Sequence, residues 1–191
     1  MRKYLLRVMA HFLPVAVAII VLSVMVFAIG QQILRQGANE PQIQIAEDTA
    51  ALLYAGNSPQ SVVPQETVEI DRSLETYMVI FDENGSPIVS SADLGGHVPA
   101  FPKGALDYAQ THGENRVTWQ PEDGVRSAVV IVPYTAGPGS GYVLVGRSLR
   151  EIEKQEDSLL RLASLGMVGS LSGVLVATII ADWLIIYETR R

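Results

Sequence analysis

Residues 76–91 read TYMVIFDENGSPIVSS, and this stretch decides the fold of the central part of the chain. Residues 76–81 form an apolar, aromatic and β-branched run, which suits a buried strand. Asp82, Glu83, Asn84 and Gly85 then supply a turn, in which Asn and Gly tolerate positive φ. Residues 87–91 return as a second strand, so the stretch predicts a β-hairpin. On its N-terminal side, residues 41–54 carry Ile45, Ala46, Thr49, Leu52 and Leu53 at helical spacing, with Gly56 and Asn57 closing the helix. Residues 57–65 are rich in Ser, Pro and Asn and read as a loop.

On its C-terminal side, residues 92–102 form a Gly- and Pro-containing loop. Residues 103–111 predict a short helix ended by Gly113. Residues 116–120, 126–134 and 141–148 read as three strands, with turns at residues 122–124 and 136–140. The expectation is an α+β domain with one antiparallel sheet of about five strands and flanking helices.

Two apolar runs bracket this domain. Residues 12–30 (FLPVAVAIIVLSVMVFAIG) and 162–181 (LASLGMVGSLSGVLVATIIA) contain no charge. About 20 apolar residues in a helix cross a bilayer core, so both runs predict transmembrane helices. The first also has the look of a signal peptide, with Ala28, Ile29 and Gly30 as a small-x-small site, but it is longer than the usual h-region. Cleaved or not, the chain would stay anchored by the second run. Charged residues make up only 18% of the 191 residues, below the fraction usual in soluble domains.

The flanking charges set an orientation. Arg2, Lys3 and Arg7 precede the first run, and Arg190 and Arg191 follow the second. Short Lys- and Arg-rich flanks stay in the cytoplasm, so both termini read as cytoplasmic and the middle as exported through the cell (inner) membrane. Residues 31–161 hold eighteen acids and nine bases. Trp183 and Tyr187 read as interfacial anchors. Asp182 beside them is either an intramembrane functional acid or an interfacial acid that reaches water, and its place next to the anchors favours the second. The expected segments are a tail at 1–11, a span at 12–30, the exported domain at 31–148, a connecting helix at 149–161, a second span at 162–186 and a tail at 187–191.

Residues 149–187 contain no Pro and predict one helix running from the last strand through the second span. A 3-4 spacing leads from Ile152, Glu156 and Leu159 to Ala163, Gly166, Ser170, Gly173, Ala177 and Ile180, and Gly169 with Gly173 forms a GxxxG. Small residues let backbones approach closely in lipid, so Gly166, Gly169, Ser170, Gly173 and Ala177 are expected to form a helix-packing face. The first span and a second copy of the chain are both open as partners, and a homodimer through the membrane helices is the expected assembly.

Two spans around an exported domain of about a hundred residues resemble the sensor half of bacterial transmembrane histidine kinases and related receptors. YMVIFDENGSPIVSS is similar to the first hairpin of an extracytoplasmic PAS-like (single Cache) domain. GYVLVGRSLREIEKQEDSLLRL is similar to its final strand entering a signalling helix. The resemblance implies a PAS-like sheet, a small ligand held between the sheet and its helical connection, and a signal passed through the second span. Such kinases continue into a phosphoacceptor-histidine helix pair and a nucleotide-binding domain. Here His11, His97 and His112 are the only histidines, and no Gly-rich nucleotide loop is present. The expectation is either a truncated or detached sensor or one that hands its signal to a separate chain.

Composition narrows the chemistry. Without cysteine there is no disulfide framework and no thiolate site. A net charge of −6 argues against a nucleic-acid partner. No GxSxG elbow or HExxH motif occurs, and the base–acid neighbours His97/Asp93 and His112/Asp107/Glu114 lie in loop-like sequence, so no catalytic role is expected. Asp82, Glu83 and Asn84 are oxygen donors, but a turn needs the same residues and no calcium-loop Glu follows, so neither a metal nor a cofactor is expected. The candidate ligand residues are Tyr77, Trp119, Arg126 and Tyr134, an Arg for a carboxylate with aromatic walls. The competing expectation is a membrane-anchored protein-interaction or scaffold subunit, in which these side chains fill the core.

Overall fold

Strands β2 (Thr76–Asp82) and β3 (Pro87–Ser90) form the hairpin expected from the sequence. Asp82 Oδ1 accepts the backbone N–H groups of Asn84 at 2.9 Å and Ser86 at 2.7 Å, and Gly85 takes φ +82°. The acidic turn is thus built on its own first residue. The computed structural model describes residues 2–137 and 139–188. Pro138 of the last turn, the Arg190 and Arg191 flank, and the side chains of Arg2 and Lys3 lie outside the described residues.

The remaining elements are α1 (Arg2–Tyr54), α2 (Pro59–Val62), β1 (Val68–Glu69), β4 (Ala92–Asp93), α3 (Lys103–His112), β5 (Asn115–Glu122), β6 (Val125–Ala136), β7 (Gly139–Ser148) and α4 (Arg150–Glu188). Five strands form an antiparallel sheet in the order β3-β2-β7-β6-β5. The domain is therefore α+β with a five-stranded antiparallel sheet and flanking helices. The helix expected at 41–54 is the C-terminal part of the longer α1. Two short features were not expected. Helix α2 lies in the 57–65 segment read as a loop, and β1, in residues given no element, pairs in parallel with β4 of the 92–102 loop through Val68↔Ala92 and Glu69↔Asp93. Two-residue strands leave no periodicity for a sequence reading to detect.

The chain divides into two compact units, Arg35–Lys154 and Met1–Leu34 with Gln155–Arg191. In the first, each face of the sheet buries its own cluster, as the period-2 alternation requires. Tyr77, Val79, Phe81, Val129, Ile131 and Leu144 pack with Leu106 and Ala109 of α3. Met78, Ile80, Val130, Val143 and Val145 pack with Ala46 and Leu53 of α1. The α1 stripe that covers this second face is Gln42, Ala46, Thr49 and Leu53, and Gln42 is fully buried with neither amide atom hydrogen-bonded.

The second unit is an antiparallel helix pair. Its apolar windows are 6% and 0% buried, so neither is the core helix of a globule, and both helices are long and apolar enough to cross a membrane. Between residues 159 and 182, the half-buried or buried positions on α4 are Leu159, Ala163, Met167, Leu171, Val174, Thr178 and Asp182. Gly166, Gly169, Ser170, Gly173 and Ala177 are exposed, and a Cβ added at any of the three glycines meets nothing within 4 Å. The small-residue stripe therefore does not pack against α1. The covered positions advance by three or four residues with fours predominating, so they follow a different line along the helix from the 3.5-residue stripe and diverge from it.

Asp182 departs from the expected water-reaching acid. Its side chain is only 3% exposed and is covered by α1, where Arg7 Nε lies 3.3 Å from Oδ1. A carboxylate buried on an apolar helix is far less costly beside a cation than alone.

Candidate functional site

The β6–β7 hairpin joins the two places in the domain that have the means to act. At one end of the hairpin, Ala136 pairs with Gly139. At the other, Ser127 pairs with Ser148, immediately before α4.

The Ala136–Gly139 end opens into a groove of 360 Å³. Leu53 and Asn57, at and beyond the end of α1, form one wall, and Asp82 and Asn84 of the β2–β3 turn form another. Tyr134 and Ser140 complete the floor. Tyr134 lies over Gly141, where an added Cβ would sit 2.9 Å from Cε1 and 3.0 Å from the hydroxyl oxygen. The same Cβ would collide with the Phe81 carbonyl, so only glycine admits both the strand pairing and the ring. Burial, and then the charge of Asp82, raise the Tyr134 phenol above its ordinary value. Tyr134 thus stays a neutral hydroxyl, able to donate or accept beside a carboxylate. The groove suits a small polar or cationic ligand with an apolar part against Leu53 and Ile88.

The Ser127–Ser148 end is a clasp on the first turn of α4. Arg126 on β6 pairs with Glu153, and the Leu149 N–H donates to the Arg126 carbonyl at 2.8 Å. Arg150 donates to the Arg72 carbonyl at 2.6 Å and the Asp71 carbonyl at 3.4 Å, and Arg147 Nε to the Leu74 carbonyl at 3.1 Å. Three arginines thereby tie the sheet, the segment before β2 and the start of α4 together.

The four candidate ligand residues do not converge. Tyr77 is 1% exposed in the α3-side core. Its ring crosses β7 over Gly146, where a Cβ would be 2.3 Å from Cζ. The Tyr77 and Ser127 hydroxyls are both buried, and neither has a partner in hydrogen-bonding geometry. Burial raises the Tyr77 phenol, and the adjoining Ser127 opposes part of that rise. Trp119 stacks at a tilt on Phe101, with ring centres 5.1 Å apart, and belongs to the same core. Arg126 is in the clasp. Only Tyr134 lines the groove.

A second shallow groove, of 410 Å³, is lined by Arg35, Gln36, Glu40, Ile43 and Arg116. Arg116 is held by Glu114, which raises its guanidinium further above the ordinary value. Sequence reasoning missed the groove at Asp82 and Ser140, because its residues come from three turns far apart in the chain. The Asp-Glu-Asn-Gly turn marked one wall of it, but as a structural turn. His97 reaches the Gly95 carbonyl, and His112 stacks on Tyr108 with ring centres 3.9 Å apart. Each is engaged within its own loop or helix, away from the groove.

No protein-family model and no curated protein matches the chain.

Proposed function

We propose that the chain is a membrane-anchored sensor of the type found in bacterial histidine kinases and related receptors. In this reading α1 and α4 each cross the cell (inner) membrane, and both termini are cytoplasmic. The sheet domain is an extracytoplasmic PAS-like (single Cache) module. A small ligand binds in the groove at Tyr134 and Asp82, and the β6–β7 hairpin carries the change to α4. The output lies outside these residues, on a separate partner protein, and the chain forms a homodimer through its membrane helices. The exposed face of Gly166, Ser170 and Gly173 is the surface left for a second copy.

The observation that carries this reading is the route from the groove to α4. The hairpin that floors the groove at Tyr134 and Ser140 meets the start of α4 at its other extremity, through the Arg126–Glu153 pair and the bond from the Leu149 N–H to the Arg126 carbonyl. Helix α4 then runs without a break from Arg150 to Glu188. A ligand shifts such a device only by binding its two arrangements unequally. Groove walls drawn from α1, from a turn and from the hairpin supply parts that can separate.

The test is thermal unfolding of the full chain in detergent against a library of small metabolites. A ligand at a hundred times its dissociation constant stabilises by about 2.7 kcal/mol. The reading expects a reproducible shift that is lost in Tyr134→Ala and retained in Arg126→Ala. A shift retained in Tyr134→Ala places the site elsewhere. A well-folded chain with no shift across the library favours the protein-interaction module.

A further inference from the structure

The helix pair contains a charged cluster that the sensor reading does not use. Asp182 on α4 faces α1, and two side chains of α1 converge on its Oδ1, the Arg7 guanidinium at 3.3 Å and the His11 imidazole Nδ1 at 3.8 Å. The carboxylate is 3% exposed, while Arg7 and His11 are 44% and 60% exposed. Oδ2 is buried with no hydrogen-bond partner. A lone buried charge is strongly unfavourable, so the carboxylate holds its place only while a cation stays beside it.

The rest of the interface repeats. Val8, Phe12, Ala16, Ile19, Ser23 and Phe27 are the covered positions of α1 along this stretch, at a spacing of about one helical turn. Lipid is as apolar as these side chains, so burying them against a helix rather than against lipid gives little preference for one alignment. Sliding α4 by one turn, about 5.4 Å, exchanges one apolar contact for another. Two features do not repeat. One is the approach of Leu159 to Gly30, where an added Cβ would lie 2.7 Å from the Leu159 side chain. The other is the Arg7–Asp182 pair, which a slide of one turn would break.

We propose that Arg7 and Asp182 form a charged register lock that fixes one alignment of α4 against α1, with the His11 imidazole beside it. These are positioning residues. The lock rests on the membrane placement in that reading, and it gives the receptor a resting state from which α4 can be displaced. Piston or rotary movement of α4 has to stretch an ion pair whose acid is buried, so the pair also sets the threshold for movement.

The chain has no cysteine, so introduced pairs report without background. Disulfide formation is measured in membranes carrying the full chain, for Ser23→Cys with Met167→Cys, which line one interhelical cleft, and for Ser23→Cys with Leu171→Cys, one turn out of register. The parent is expected to favour the first pair. Arg7→Gln and Asp182→Asn should each reduce that preference about fivefold, the low end for coupled sites. Asp182→Glu should retain it, and the reciprocal exchange Arg7→Asp with Asp182→Arg should restore it. Unchanged preference in both single variants overturns the lock, as does an exchange that fails to restore what the singles lose. A parent forming neither crosslink contradicts the helix pair itself, and the lock with it. The ligand-shift experiment on Tyr134 is unaffected by any of these outcomes, so the two proposals fail separately.

Discussion

The sheet domain and the helix pair each bury a polar side chain on a helix, and the two do opposite things. Gln42, on the α1 stripe that covers the sheet, is fully buried with both amide atoms unpaired. Asp182, in the helix pair, is as deeply buried but has Arg7 against one oxygen. Around Gln42 the alternative to burial is water, so the unpaired amide costs stability that the neighbouring Ala46 and Leu53 offset. In the proposed membrane setting the alternative around Asp182 is lipid, in which apolar packing confers little specificity, and a charge pair can decide alignment. On that proposal a buried polar side chain weakens one region and specifies the other.

The largest effect expected from this contrast is at the packing residues. Leu53→Ala opens a cavity in a fully buried site and should cost the sheet domain about 3 kcal/mol. Met167→Ala in the helix pair should leave the unfolding of that domain unchanged. Both are read by Trp119 fluorescence in a Trp183→Phe background. Equal losses in the two variants would erase the distinction between the regions. Gln42→Met should go the other way, raising stability by about 1 kcal/mol, because an unsatisfied amide is replaced by an apolar chain of similar volume. A loss there would show that Gln42 has a partner in solution.

Raised phenols give a third, smaller handle on the sheet domain. Tyr77, Tyr134 and Tyr142 are all raised, chiefly by burial, with Asp82 and Asp107 adding to the last two. A group that holds its proton more tightly when folded contributes fully below its unfolded value and loses that contribution as pH rises through the folded one. Stability should therefore be flat up to about pH 10 and fall above it. Tyr77→Phe should flatten the fall, as measured by denaturant midpoints on either side of that pH. The smallest effect belongs to the clasp. Arg126→Ala removes an ion pair that is nearly half exposed on both sides, and should cost under about 0.5 kcal/mol. A loss of several kcal/mol would make the clasp a folding element.

Much of the sheet was legible because its signals are local. The turn at Asp82 to Gly85, the αL stop at Gly113 and the alternation in β5 each act within a few residues. The α4 helix was legible because nothing in residues 149–187 breaks it. What stayed hidden depends on which side of an element is covered. Tyr77 and Tyr134 are both strand tyrosines, yet odd and even positions place them on opposite faces, and no local pattern says which face holds a groove. The glycine stripe of α4 fits a packing face by spacing alone. The inward side is instead chosen by Asp182, whose partner Arg7 lies 175 positions earlier in the sequence. Pairings of that range are invisible to periodicity.

The central claim is that α1 and α4 span the membrane and export the sheet domain between them. Its most direct test is labelling of a single Asn84→Cys, on the exposed β2–β3 turn, with a membrane-impermeant thiol reagent in intact cells. The account predicts labelling as complete before permeabilisation as after it. Labelling that appears only once the membrane is opened would put the domain on the cytoplasmic side and contradict the account.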